Sequence, residues 1–344
     1  MKTELLLVKD IKKDAEKLAR AAELIKGGQL VALPTETVYG LGANALDEAA
    51  VKRIYQVKGR PLDNPLIIHI ADAMQLREYC RDVPPEADWL AERFWPGPLT
   101  MILRKKSIIP DFVSAGLDTV AVRCPDHPVA LEIIRLAGVP IAAPSANISG
   151  SPSPTEAGHV VSDLGGKIRA IVDGGRCRVG LESTIIDLSV KPFAILRPGG
   201  ITPEQIEKVI GPVILDSVLL SAFKEDKPRA PGMKYRHYAP RAQVVILRGN
   251  TVDAARYFNE NGGENAAVLC FDGEEKFFDA GRILAYGKEG DSAAQARNLF
   301  SRLRELDRGR PAVIYARMPK ETKGVGLAVA NRLLKAAGFN VIEV

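Results

Sequence analysis

The chain has 344 residues, 46% of them hydrophobic and 26% charged, with a formal net charge of +5. That composition excludes a wholly disordered chain and predicts about two globular domains. The charge is mildly basic, enough to favour anionic ligands but too small to identify a nucleic-acid-binding protein. The N-terminus has only a three-leucine run before charge returns, which argues against a secretory leader. No stretch approaches the ~20 apolar residues of a membrane span. The four cysteines and four histidines are scattered, so neither a disulfide framework nor a structural zinc site is expected. Reduced thiols in a cytoplasm are the simpler expectation.

A helix is expected over Asp14 to Lys26, stopped by Gly27-Gly28, and a strand over Gln29 to Leu33. Asp47 caps a helix ended by Gly59 and Pro61. Strands follow at Leu66–Ile70, Leu99–Leu103, Thr119–Arg123, Val139–Ala143, Ile168–Val172, Thr184–Leu188 and Ala194–Leu196, with helices around Trp89, Ile133 and Val160. Thr202-Pro203-Glu204-Gln205 is a capping box with proline at the first helical position. The mixture predicts an α/β domain with a twisted mixed sheet over residues 1–212. The segment 213–241 contains a proline-rich basic stretch without helical or strand period and reads as a linker. Residues 242–344 then predict a small Rossmann-like β/α domain, with strands at Val244–Leu247, Ala267–Phe271, Ile283–Tyr286 and Val313–Ala316. Helices are expected there over Val252–Asn259, Ala293–Leu306 and Leu327–Ala337.

Polar residues and glycines concentrate at strand ends, where open α/β sheets carry their sites. Thr35, in Pro34–Asn44, follows a strand and precedes glycines that admit a ligand to the backbone; a turn closed by its own threonines is the alternative. Lys58 and Arg60 end a helix and enter a loop stiffened by two prolines around Asn64. Cations at a helix C-terminus are also favoured by the macrodipole alone. His69 lies on the next strand. Thr119 and Arg123 share a strand, and Arg123 is placed to grip a carboxylate. Trp95-Pro96-Gly97-Pro98 reads as a rigid turn. Ser145, Asn147 and Ser153 form a hydroxyl- and amide-rich loop suited to phosphate or Mg²⁺. Ser183 and Arg197 stand at two further strand ends. The inventory is one of donors and cations, without a nucleophile–base pair or metal-ligand spacing. It suits a reaction whose substrates bring their own nucleophile while the protein positions them and neutralises charge.

In order, the segments are PTETVYGLGANA (34–45), KGRPLDNPL (58–66), WPGPLT (95–100), LDTVAVRCPDHP (117–128), APSANISG (143–150), ESTIID (182–187) and LRPGG (196–200). The ordered set strongly resembles the YrdC-like threonylcarbamoyl-AMP synthases. APGMKYRHYAP (230–240) and the trailing domain resemble the family's long form. The resemblance implies an L-threonylcarbamoyladenylate synthase, a nucleotidyltransferase. It would join L-threonine, bicarbonate and ATP into threonylcarbamoyl-AMP and pyrophosphate, for N6-threonylcarbamoylation of adenosine 37 in tRNAs reading ANN codons. A separate transferase complex would complete the modification. Thr35, His69, Arg123 and Ser183 would then hold threonine. Lys58, Arg60, Asn64, Thr119, Ser145, Asn147, Ser153, Arg197 and Tyr238 would contact ATP. Lys58 and Arg60 would be the catalytic cations. Mg²⁺, not held by protein alone, would accompany ATP near Ser145 and Asn147. Tyr235 and Tyr238 would close the linker over the cleft as a lid. A module that binds tRNA or double-stranded RNA without catalysis is the alternative. Carbamoyl chemistry of the hydrogenase-maturation type lacks its zinc pairs here.

Overall fold

The computed structural model describes residues 2–216, 230–231, 237–279, 281–320 and 323–344. The expected lid residue Tyr235 lies outside them. In chain order the first part contains strands β1 (Glu4–Leu7), β2 (Val31–Leu33), β3 (Gly40–Asn44), β4 (Ile67–His69), β5 (Leu99–Arg104), β6 (Thr119–Arg123), β7 (Ile141–Ala142), β8 (Ala170–Asp173), β9 (Thr184–Asp187), β10 (Ala194–Arg197) and β11 (Ile214–Leu215). Its helices are α1 (Ala15–Lys26), α2 (Glu48–Lys58), α3 (Leu76–Tyr79), α4 (Pro85–Phe94), α5 (Asp111–Ser114), α6 (Pro128–Ala137), α7 (Ala157–Leu164) and α8 (Pro203–Ile210). Among the described residues the eleven strands make one sheet in the order β1-β8-β2-β3-β7-β4-β6-β5-β9-β10-β11, with parallel and antiparallel pairs mixed.

The caps follow the sequence signals. The Asp47 carboxylate accepts from the Ala49 and Ala50 amides at the start of α2, and Gly59 ends that helix in the left-handed region. The Thr202–Gln205 capping box is complete at the start of α8.

Strand alternation sorts the core into two faces. In β2, Val31 and Leu33 pack with Leu18, Ile25, Ile133 and Ile134 of α1 and α6, while Ala32 points to the opposite face, among Ile54, Leu90 and Val160 of α2, α4 and α7. Helices α1 and α6 serve the half of their face that carries β8, β2 and β7. On the remaining half, Ile67, Ile102, Ala121, Ile185, Ala194 and Leu196 form a separate apolar floor that also packs against Ala230.

The second part contains β12 (Gln243–Arg248), α9 (Thr251–Asn261), β13 (Ala266–Cys270), β14 (Arg282–Ala285), α10 (Ser292–Arg308), β15 (Val313–Arg317), α11 (Gly324–Ala337) and β16 (Val341–Glu343). Its five strands are all parallel, in the order β14-β13-β15-β12-β16. Parallel strands joined by crossover helices are what the β/α periodicity predicts.

The two parts share a core. Val38 and Leu181 of the first and Tyr238 between them pack with Phe300, Leu303, Val329 and Leu333 of α10 and α11. Gly180 sits so close to α10 that a built Cβ would lie 2.5 Å from the Arg297 Cα. Arg304 of α10 grips Asp163 at 2.7 and 3.0 Å and also reaches the Pro152 carbonyl. Among the described residues no helix is long and apolar enough to cross a membrane.

Candidate functional site

The cavity of interest opens over the uncovered half of the first sheet. It is lined by Thr35, Thr37, Val38 and Gly40 from the turn before β3, Arg60 after α2, Ile67 and His69 of β4, Arg123 of β6, Ala143–Ser145 after β7, Glu182 and Ser183 before β9, Arg197 of β10, and Pro231, His237 and Tyr238. Pleating explains the set: Ile67 and His69 share one face of β4, as do Ala121 and Arg123 of β6, so each polar side chain stands beside the apolar floor. Arg197 reaches the cavity by a different device. Ile195 pairs with Ile186 but Arg197 pairs with Ile185, so an extra residue bulges from β10 and re-aims the arginine.

Thr35 both lines the cavity and closes its turn. Its Oγ1 donates to the Val38 carbonyl at 2.7 Å and lies 2.8 Å from the Thr37 hydroxyl. Arg123 pairs with Glu36 at 2.7 Å, both side chains buried, and its Nε donates to the Gly97 carbonyl. Burial, and then the charge of Arg123, pushes the His69 pKa down to about 3, so the ring is a neutral donor or acceptor. Arg197 donates from Nε to the Ser183 carbonyl and from Nη2 to the Ser183 hydroxyl, each at 3.0 Å, and from Nη1 to Pro231. Thr100 completes this set at 2.7 Å from Ser183 Oγ. Burial pulls the Arg197 pKa down to about 10.

Eight sequence-predicted residues therefore meet in one cavity: Thr35, Arg60, His69, Arg123, Ser145, Ser183, Arg197 and Tyr238. Five do not line it. Lys58 is buried beneath the loop after β7, where its Nζ donates to the main-chain oxygens of Ser145 and Asn147; burial holds its pKa well below the lysine range. Asn64 accepts from Arg60 at 2.7 Å and so fixes that guanidinium, which also donates to the Pro65 carbonyl. The Asn147 amide ties its own loop through Ile148 and Ser151, leaving Oδ1 buried without a hydrogen-bond partner among the described residues. Ser153 donates to Glu182. Thr119 shares a face with Arg123 but sits at the other end of β6, about 13 Å of extended chain away.

Four side chains complete the site that strand-end reasoning did not select. Glu36 and Glu182 stand inside the quoted motifs, so their positions carried a signal. His237 stands in the linker phrase; burial holds it well below the usual histidine range. Arg332 of α11 carried none: its Nε meets the Glu182 carboxylate at 2.8 Å from 150 residues away. Burial works to raise the Glu182 pKa, yet Arg332 and Arg197 together hold it below the ordinary value.

The chain is similar to known proteins along most of its length. A family model described as telomere recombination matches residues 23–199, and one described as threonylcarbamoyl-AMP synthase, C-terminal domain, matches residues 201–338. The threonylcarbamoyl-AMP synthase of Pyrococcus abyssi is 51% identical over 338 residues, covering 95% of this chain and 96% of that protein. The chain belongs to the threonylcarbamoyl-AMP synthase family. The Bacillus subtilis threonylcarbamoyl-AMP synthase is 48% identical over 329 residues, with 95% and 94% of the two chains covered. The crystal structure of P. abyssi Sua5 complexed with L-threonine superposes with a TM-score of 0.92 at 49% identity, covering 99% of this chain and all of that one. The family's long, two-part architecture is therefore present from one end of the match to the other.

Proposed function

We infer that this chain is an L-threonylcarbamoyladenylate synthase, making threonylcarbamoyl-AMP and pyrophosphate from L-threonine, bicarbonate and ATP. The observation that carries the reading is the convergence of Arg123 and Arg197 with Thr35, His69 and Ser183 in one cavity, in a fold that matches a threonine-bound relative end to end. The chemistry asks for this inventory. The threonine amine and bicarbonate lose water to form a carbamate. A carbamate oxygen attacks the α-phosphorus of ATP, and pyrophosphate leaves. Each step crowds anions together, and buried cations and N–H donors stabilise that crowding more than a general base would.

In this reading Arg123, with Glu36 fixing one edge of its guanidinium, holds the threonine carboxylate, and neutral His69, Thr35 and Ser183 orient the rest of the amino acid. Arg60, braced by Asn64, and Arg197 face the phosphates. Lys58 acts from beneath the loop of Ser145 and Asn147. Ser153 steadies Glu182. Thr119 lies too far along β6 to touch threonine and is left to the distal part of the nucleotide. The unpaired Asn147 Oδ1 is a hard oxygen donor, which fits Mg²⁺ carried with ATP beside Ser145. The ion would neutralise phosphate charge. Tyr238 and its flanking segment act as a lid that keeps water from the mixed anhydride. The product passes to a separate transferase for N6-threonylcarbamoyladenosine at position 37 of tRNAs reading ANN codons. Work in a cytoplasm fits the four free, buried cysteines.

The test is pyrophosphate release from ATP with bicarbonate, with and without L-threonine. Release that needs both threonine and bicarbonate supports the reading. Absence of release from folded protein overturns it and favours the RNA-binding alternative.

A further inference from the structure

Arg332 is fully buried in α11 of the second part, and it reaches Glu182 of the first part and Tyr238 between the two. Its Nε donates to Glu182 Oε2 at 2.8 Å, while Ser153 donates to the other oxygen of the same carboxylate. Its guanidinium lies over the Tyr238 ring, 5.3 Å from the centroid, and the other side of the environment is Phe300 of α10, stacked at 5.3 Å from the same ring. Nη1 is satisfied by Asn331 at 2.8 Å, and Nη2 has no hydrogen-bond partner among the described residues. Glu182 and Tyr238 both line the cavity. One side chain from the second part therefore holds two walls of the cavity at once.

We propose that Arg332 is a positioning residue for the synthase reaction, locking the Glu182 carboxylate and the Tyr238 ring into one unit so that the C-terminal domain controls threonine binding and retention of the activated intermediate. The proposal rests on the function inferred above. A buried ion pair of this kind is poor evidence of stability, because desolvation offsets much of the attraction. Geometry is its stronger product: the planar fork satisfies a carboxylate with one edge and covers a ring with its face. A lysine at the same place supplies the charge but neither the fork nor the plane.

The experiment compares the unsubstituted chain with Arg332→Met and Arg332→Lys, each first checked for cooperative thermal unfolding. Three quantities are read: L-threonine affinity by calorimetry, kcat and KM for threonine, and the fraction of consumed ATP that ends as free AMP. Water splitting the mixed anhydride gives AMP and the carbamate, so that fraction reports loss from the closed site. The expected result for Arg332→Met is threonine affinity weaker by about tenfold, the scale of one charge-assisted hydrogen bond, with a raised AMP fraction and Arg332→Lys between. A folded Arg332→Met with unchanged affinity and AMP fraction overturns the proposal. Should that variant not fold, Phe300→Leu loosens the Tyr238 ring with every charge in place. A raised AMP fraction then supports the coupling, and an unchanged one overturns it. If the unsubstituted chain makes no threonylcarbamoyl-AMP, the functional reading fails, while the threonine affinity of the variants still decides the role of Arg332.

Discussion

The Lys58 ammonium donates to the main-chain oxygen of Ser145 at 2.5 Å, and the Ser149 amide returns a bond to the Lys58 carbonyl at 2.9 Å. The last residue of α2 and the loop after β7 are thus one structural piece. Lys58 supports the floor of the site.

Substituting the two proposed catalytic cations, Lys58 and Arg60, should therefore give different phenotypes. Arg60→Ala is expected to cut turnover at least tenfold, and the Asn64 and Pro65 oxygens it bonds lie on a local loop whose loss of a donor costs less than at Lys58. Lys58→Ala is expected to lose turnover and about 1–3 kcal/mol of stability, because two buried carbonyls lose their donor. Steady-state pyrophosphate release and urea midpoints check both. Near-wild-type turnover in both variants would refute the catalytic assignment.

The buried pair of Arg123 and Glu36 should behave non-additively. Arg123→Gln leaves the Glu36 charge buried alone and is expected to cost about 3–5 kcal/mol. Adding Glu36→Gln should restore part of that stability without restoring threonine use. Denaturant melts of the two single variants and the double variant measure the coupling. Strict additivity would mean that the pair does not interact.

His69 and His159 are both depressed by burial, from 6.5 to about 3 and about 4. The unfolded chain therefore binds protons at these sites before the native state does. Their contribution to stability is complete well above pH 6.5 and is lost as pH falls from there through about 4 for His159 and about 3 for His69. Unfolding free energy should drop across that window, and His159→Gln, remote from the cavity, should flatten the drop. A stability profile that is level from pH 7 to pH 4 would contradict the assignment.

Serine should be a poor substrate. Val38, Ile67 and Ala143 give the cavity an apolar wall, and one missing methyl contact is worth about 1–3 kcal/mol. The kcat/KM ratio for threonine over serine is expected to lie between about ten and two hundred. A ratio near one would rule out this wall as the methyl site.

Gly180 tests the contact between the parts. Its φ of +83° already disfavours a side chain, and a Cβ would meet the backbone of α10 at Arg297 and Ala296. Gly180→Ala should lower the thermal midpoint and raise the proportion of free AMP together. An unchanged protein on both counts would show that the contact gives way easily.

Much of this was legible because period and caps are local properties. Thr119–Arg123 is a strand over the predicted residues, and Asp47 caps α2 as expected. Gly40–Asn44 is a buried strand paired on both sides, and its glycines hide the alternation that would announce it. Glu4–Leu7 is an edge strand whose burial alternates, but its three consecutive leucines show no alternation in the sequence that would announce it. Thr119 is a proposed site residue only through the family resemblance, and the structure sets it at the other end of β6 from Arg123. The bond between Glu182 and Arg332 is a product of tertiary packing, and nothing local to α11 announces it.

The C-terminal domain is joined to the first by the chain itself, and that changes what its buried contacts must achieve. A separate partner would need enough affinity to overcome dilution and lost rotational freedom. A tethered one faces its seat at an effective concentration on the order of millimolar. If the proposed lid acts, Arg332, Arg304 and the Tyr238 stack need only be individually modest to hold it in place. Expressed as two chains, the same surfaces would face the full dilution cost.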